Sequence, residues 1–193
     1  GESYYDPFNK VSLSSDGSVV AIGSPSTRGN QYHSYQGNRP NGYVRILKNV
    51  NNTWTQIGSD INGEATGDES GFSVSLSSDG SVVAIGAPYN DENGNDSGHI
   101  RIYKNVNNIW TQIGSDIDGE AYKNLMGHSV SLSSDGSVVA IGAPDDYIAG
   151  TDGLGHNGYV KIFENINNTW IQVGSKIDGV SGWDFFGKHV SLS

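Results

Sequence analysis

The 193-residue sequence contains no cysteine, one methionine and five prolines. Without thiols it can hold neither a disulfide framework nor a thiolate metal site. Basic residues are scarce: 11 Lys and Arg stand against 21 Asp and Glu, for a net charge of −10. That balance argues against a nucleic-acid or anionic-membrane surface and favours solubility. No apolar run approaches the roughly 18 residues needed to cross a bilayer, so no membrane insertion is expected. Helical periodicity is missing as well, since no segment repeats its apolar residues on one helical face.

What the sequence has is glycine and repetition. Its 27 glycines are about twice the usual share, which suits many tight turns. One phrase, Val-Ser-Leu-Ser-Ser-Asp-Gly-Ser-Val-Val-Ala-Ile-Gly-Ala-Pro, runs over 74–88 and 130–144, and over 11–25 with Ser24 for Ala; a further copy opens at Val190. Val-Ser-Leu-Ser alternates at the strand period, Asp-Gly is a hairpin-turn dipeptide, and Ser-Val-Val-Ala-Ile reads as a return strand. Pro25, Pro88 and Pro144 end that strand, because proline cannot donate to the next rung. In the middle unit, strand-like runs cover 71–77, 81–88, 98–105 and 109–117, the last two joined by Asn107-Asn108 as a second hairpin turn.

Four short antiparallel strands repeated at this spacing predict an all-β fold of propeller type. Blade 1 is placed at about 8–61, blade 2 at 71–117 and blade 3 at 127–177, with the first strand of a fourth blade at 186–193. Three blades fall short of a closed ring, so further blades of a longer chain or a second copy are expected to complete it. The Val-Val-Ala-Ile strand is expected to be covered on both faces. Arg45, Arg101 and Lys161, alternating with apolar residues, are expected half-exposed near the rim.

Gly71-Phe72-Ser-Val followed by Ala-Ile-Gly86-Ala87-Pro88 resembles the FG-GAP repeat of integrin α-subunit heads and of secreted microbial and algal proteins. Phe186-Gly187 repeats the Phe-Gly pair, and the Ser-Leu-Ser-Ser-Asp-Gly variant is similar to the bacterial and algal branch. The resemblance implies a β-propeller of four-stranded blades, extracellular and engaged in adhesion or recognition. It also implies a calcium loop between the first two strands of a blade. Here that place holds only Ser-Ser-Asp-Gly-Ser, so Asp16, Asp79 and Asp135 are read as turn formers. Calcium wants six to eight oxygens.

Few constellations suggest chemistry. Asp91, Asn93, Asn95 and Ser97 sit at alternate positions like the front of a calcium loop, but the expected glycine and closing glutamate are absent. A solvated turn is the preferred reading. His33, His99, His128, His156 and His189 show no metal-ligand spacing and are read as isolated surface or strand-edge residues. Neither a Gly-x-Ser-x-Gly elbow nor a facing acid pair can be nominated, so the chain is read as a non-enzyme without cofactor. Trp54, Trp110 and Trp170 recur once per unit, which fits packing between blades ahead of sugar stacking. The loop aromatics Tyr32, Tyr35, Tyr89, Tyr147 and Trp183 are the candidate ligand contacts, and Asn51, Asn95 and Asn167 head glycosylation sequons.

The resulting expectation is a non-enzymatic extracellular or cell-surface propeller for adhesion, recognition or assembly. Its partners would be other copies or further blades, and an extracellular protein or glycan. Carbohydrate binding through the loop aromatics is the alternative.

Overall fold

The computed structural model describes residues 10–25, 41–144, 157–181 and 184–193. β1 (Lys10–Leu13), β2 (Val19–Ser24), β3 (Tyr43–Val50), β4 (Thr53–Gln56) and β5 (Ile61–Asn62) form one antiparallel sheet. β6 (Ser73–Leu76), β7 (Val82–Ala87), β8 (His99–Val106), β9 (Ile109–Gln112) and β10 (Ile117–Asp118) form the second. β11 (Ser129–Leu132), β12 (Val138–Ala143), β13 (Tyr159–Ile166), β14 (Thr169–Gln172) and β15 (Ile177–Asp178) form the third. These are three propeller blades, and they do not close a ring. Among the described residues there is no helix.

The phrase that repeats is the inner hairpin of each blade, with Val74 opposite Ile85 and Leu76 opposite Val83 in the middle one. Its turn is built by the aspartate. Asp79 Oδ1 accepts from the Ser77 hydroxyl at 2.7 Å and from the Ser81 backbone N–H at 2.9 Å. Asp16 and Asp135 accept the same pair of bonds in their blades. The outer hairpins turn on Asn51-Asn52, Asn107-Asn108 and Asn167-Asn168, every one at positive φ between 51° and 64°. Two successive residues in that region make the turn whose twist matches the flanking strands.

Those hydrogen bonds hold the Asp16 and Asp135 carboxyls down to about 2. At Asp16 the Ser18 backbone N–H acts most and the Ser14 hydroxyl next; at Asp135 the Ser133 hydroxyl leads. A depressed folded-state pKa contributes stability above the unfolded value of about 3.9 and loses it as pH falls. The fold should therefore weaken between about pH 4 and pH 2. Urea midpoints of the triple variant Asp16→Asn, Asp79→Asn, Asp135→Asn should vary less with pH over that window than those of the parent chain. Equal slopes would refute this origin.

The core lies between blades. A strand's period of two sends alternate residues to opposite faces, and β7 uses both. Val82 and Ala84 pack with Val130, Val139 and Ile141 of the third blade, whereas Val83 and Ile85 pack with Val19, Ala21 and Ile46 of the first. The expected two-sided burial of Val-Val-Ala-Ile is what the middle blade shows, with all six β7 residues buried.

Three expectations need correction. The outer run expected over 109–117 is two segments, β9 and β10, both paired to β8. Gly114, at φ 76°, turns the chain out of the ladder between them, as Gly58 and Gly174 do in the other blades. Arg101 and Lys161 are buried rather than half-exposed, because each reaches the linker that enters its blade. There Arg101 meets Glu64 and Lys161 meets Glu120. Residues 187–193 lie in no strand, since no return strand stands beside them. They are instead seated on the third blade by the Leu192 N–H donating to Ser131 Oγ at 2.9 Å. Leu132 and Leu76 donate in the same way to Ser75 and Ser12 of the preceding blades.

Candidate functional site

Blades join through a repeated lock. Trp110 Nε1 donates to the Ile57 carbonyl of the first blade at 2.9 Å, and Trp170 Nε1 to the Ile113 carbonyl of the second at 2.8 Å. Each indole lies against the kink glycine of the preceding outer strand. A Cβ on Gly58 would stand 2.7 Å from Trp110 Cδ1, and one on Gly114 2.8 Å from Trp170 Cδ1. Trp110 and Trp170 are thus packing residues between blades, as their recurrence implied. Among the described residues Trp54 has no such seat and is 45% exposed, and a Cβ on Gly174 would meet nothing within 4 Å.

The flanking apolar residues follow suit. Leu13 is 56% exposed where its equivalents Leu76 and Leu132 are 7% and 5%. On the opposite end Ile177 is 48% exposed where Ile61 and Ile117 are 7% and 6%. The first blade therefore presents the tryptophan half of the lock, and the third presents the glycine half.

The rim where the first linker enters the second blade differs from its counterparts. Position 99 of β8 is histidine where β3 and β13 carry Tyr43 and Tyr159. Its side chain is 1% exposed, yet Nδ1 has no hydrogen-bond partner. That nitrogen faces Asp116 Oδ2 at 3.5 Å, Glu64 Oε2 at 3.8 Å and Asp118 Oδ1 at 4.0 Å. Asp118 stands opposite His99 across the β8–β10 ladder. Burial first, and the Arg101 charge second, push the His99 pKa down to about 4. At neutral pH the ring is uncharged, so these contacts are not ion pairs. Burial, reinforced by the charges of Glu92, Asp116 and Glu64, pushes Asp118 up to about 6. Burial raises Glu64 as well.

The outer oxygens of this cluster are held in place. Arg101 Nη1 meets Glu64 Oε1 at 3.2 Å while its Nη2 donates to the Asn62 carbonyl at 2.7 Å. Gln112 Nε2 donates to Asp116 Oδ1. The third blade has Lys176 in place of Asp116, paired with Asp178 at 2.9 Å. Only the middle blade combines the histidine with this excess of acid. Asp116 and Asp118 also border a groove of about 400 Å³ between the second and third blades, walled by Lys161, Phe163 and Trp170.

The sequence-based candidates lie elsewhere. Tyr32, Tyr35, Tyr147 and Trp183 fall outside the described residues. Tyr89 is half-buried, its ring edge-on to Phe72 at 6.2 Å. Asp91 Oδ1 accepts from the Asp96 backbone N–H at 2.8 Å and Asn95 Nδ2 at 3.4 Å, and Asn93 is exposed. The Asn95 carbonyl also accepts from the Lys123 N–H of the second linker at 2.9 Å, and none of the three belongs to the cluster around His99. Asn51, Asn95 and Asn167 are all exposed.

The family model of the FG-GAP repeat matches residues 62–103, from the first linker through most of β8. The middle blade is an FG-GAP repeat. Its Phe72-centred entry, inner hairpin and Gly86-Ala87-Pro88 break are the portion matched; the inner hairpin recurs in the first and third blades, whereas Asn9 and His128 stand where the middle one has Phe72. Among solved structures, a chain of Kuenenia stuttgartiensis hydrazine synthase shares the fold at a TM-score of 0.53 and 10% identity. The alignment covers 97% of this chain and 40% of that one, so this chain spans less than half of its neighbour. At that identity the likeness is one of fold alone. No curated protein matches the sequence. Among the described residues, no helix is long and apolar enough to cross a membrane.

Proposed function

We propose that these FG-GAP blades form a non-enzymatic extracellular module whose activity is assembly and recognition through blade-to-blade contact. One observation carries this reading: the two exposed faces are the unmatched halves of the lock that already joins the blades. Trp54 of one copy seated on Gly174 of another would donate to the Val173 carbonyl, as Trp110 and Trp170 donate to Ile57 and Ile113. Exposed apolar patches of this kind mark interaction sites, and the complementarity of the two faces favours a second copy as the occupant. Two copies supply six blades, within the usual four to eight of a closed ring.

Sedimentation of the 193-residue chain across a concentration series tests this. Self-association is expected, and Trp54→Ala or Gly174→Asn should weaken it about tenfold or more, the loss of a hot-spot contact. Asparagine tolerates the left-handed conformation at 174, so the single chain stays folded. A chain that remains monomeric throughout overturns the proposal.

Carbohydrate binding is the second reading, and the groove beside Trp170 favours it, since an aromatic wall with carboxylates and a cation suits a sugar's face and hydroxyls. Specific binding on a glycan array that disappears with Gln172→Ala on the groove wall supports it; an array without signal removes it.

A further inference from the structure

We propose that Glu64, Glu92, His99 and Asp116 bind one divalent first-row transition cation of the zinc type. Each offers one ligand atom, and all four atoms lie within 4.8 Å of one another. Tetrahedral ligands about 2.1 Å from an ion stand roughly 3.4 Å apart, close to the 3.5 and 3.8 Å that already separate His99 Nδ1 from Asp116 Oδ2 and Glu64 Oε2. Closing the widest pair takes a contraction of about 1.4 Å at most, within reach of the exposed side chains of Glu64 and Glu92. Acidic clusters are common at surfaces, and this one is set apart by His99. A buried imidazole with no partner for Nδ1, aimed at the carboxylates, is costly to keep unsatisfied. A cation at the focus of Nδ1, Oε2 and Oδ2 satisfies it.

The surrounding bonds orient the donors. Glu64 gives Oε1 to Arg101 and keeps Oε2 toward His99; Asp116 gives Oδ1 to Gln112 and keeps Oδ2 toward His99. Partners of this sort fix ligating carboxylates in metal sites. The imidazole selects the ion, because calcium and magnesium prefer all-oxygen sets whereas zinc and its neighbours accept nitrogen with carboxylate. Bound there, the ion would tie the first linker (Glu64), the loop after β7 (Glu92), β8 (His99) and the segment before β10 (Asp116) into one rim.

Calorimetric titration of the untagged chain with Zn²⁺, Ca²⁺ and Mg²⁺ tests the assignment. Zinc should bind once per chain and raise the melting temperature, and neither of the other ions should match it. His99→Tyr should abolish that event and remain folded, since Tyr43 and Tyr159 occupy the same strand position in the sister blades. Gln112→Leu, which releases Asp116, should weaken zinc about tenfold to 100-fold. Zinc binding that survives His99→Tyr belongs to other surface histidines and overturns the site, as does a parent chain that binds no zinc. Equal affinity for calcium refutes the assigned ion class.

Discussion

Gly86→Ala is expected to cost at least about 3 kcal/mol, the upper range for forcing atoms into a filled core. The reason is the approach of the next blade. A Cβ at position 86 would lie 2.1 Å from the Gly127 carbonyl oxygen and 2.3 Å from Ser73 Oγ. Neither obstacle can step aside, because Ser73 donates to that same carbonyl at 2.7 Å and ties the two blades together. Domains of this size are stable by only about 5–15 kcal/mol, so the variant should show a large fall in urea midpoint. The inner-hairpin glycines provide a matched control. Gly17 and Gly80 share a φ near 70°, but a Cβ on Gly80 meets Val19 Cβ at 2.7 Å while one on Gly17 meets nothing. Alanine at 80 should therefore cost more than alanine at 17, with backbone strain cancelling between them. Equal losses at 17 and 80, or a neutral Gly86→Ala, would show that the blades are not in such close contact.

The inner hairpins were legible because local signals agreed with the global fold. Val-Ser-Leu-Ser alternates, Asp79-Gly80 turns, and the unbroken Val82–Ile85 run requires cover on both faces, which β7 receives from two neighbours. The kink at Gly114 was not legible, since Ile113 and Ile117 on either side continue an apparent strand. Arg101 and Lys161 misled for a related reason. A cation alternating with apolar residues reads as a rim position until the linker carboxylates at 64 and 120, about 40 residues earlier in sequence, are seen beside it.

The candidate site was hidden more thoroughly. Its members come from a linker, a loop, a strand and the approach to another strand, so no spacing between 64, 92, 99 and 116 forms a motif. What brings them together is the β8–β10 register and the passage of the linker across the blade edge. The available signal was comparative, within the chain itself. Histidine replaces tyrosine at one of three equivalent strand positions, in the one unit where an acid near the outer strand also has an acidic loop opposite. Reading the repeats against each other, residue by residue, exposes such a position where a search for ligand spacing does not.

Alanine substitutions at the three tryptophans should form a graded series. Trp110→Ala should cost about 3 kcal/mol, the low end for truncating a large aromatic, because the ring is only partly buried. It packs against the core between the first two blades and donates to Ile57. Removing it opens a void over Gly58 and leaves that carbonyl without its donor, and two losses of this kind add at one site. Trp170→Ala should match it, since it repeats both contacts one blade later. Trp54→Ala should cost roughly 1 kcal/mol or less in the dilute single chain, as surface changes usually do. At concentrations where copies associate, its cost should rise toward that of the other two, because the indole then acquires the seat its counterparts already have. Dilution-dependent unfolding midpoints for Trp54→Ala, beside concentration-independent ones for Trp110→Ala, would tie the fold's internal lock to its external one. A Trp54→Ala penalty that is full-sized in the monomer would instead show that this tryptophan has an internal seat of its own.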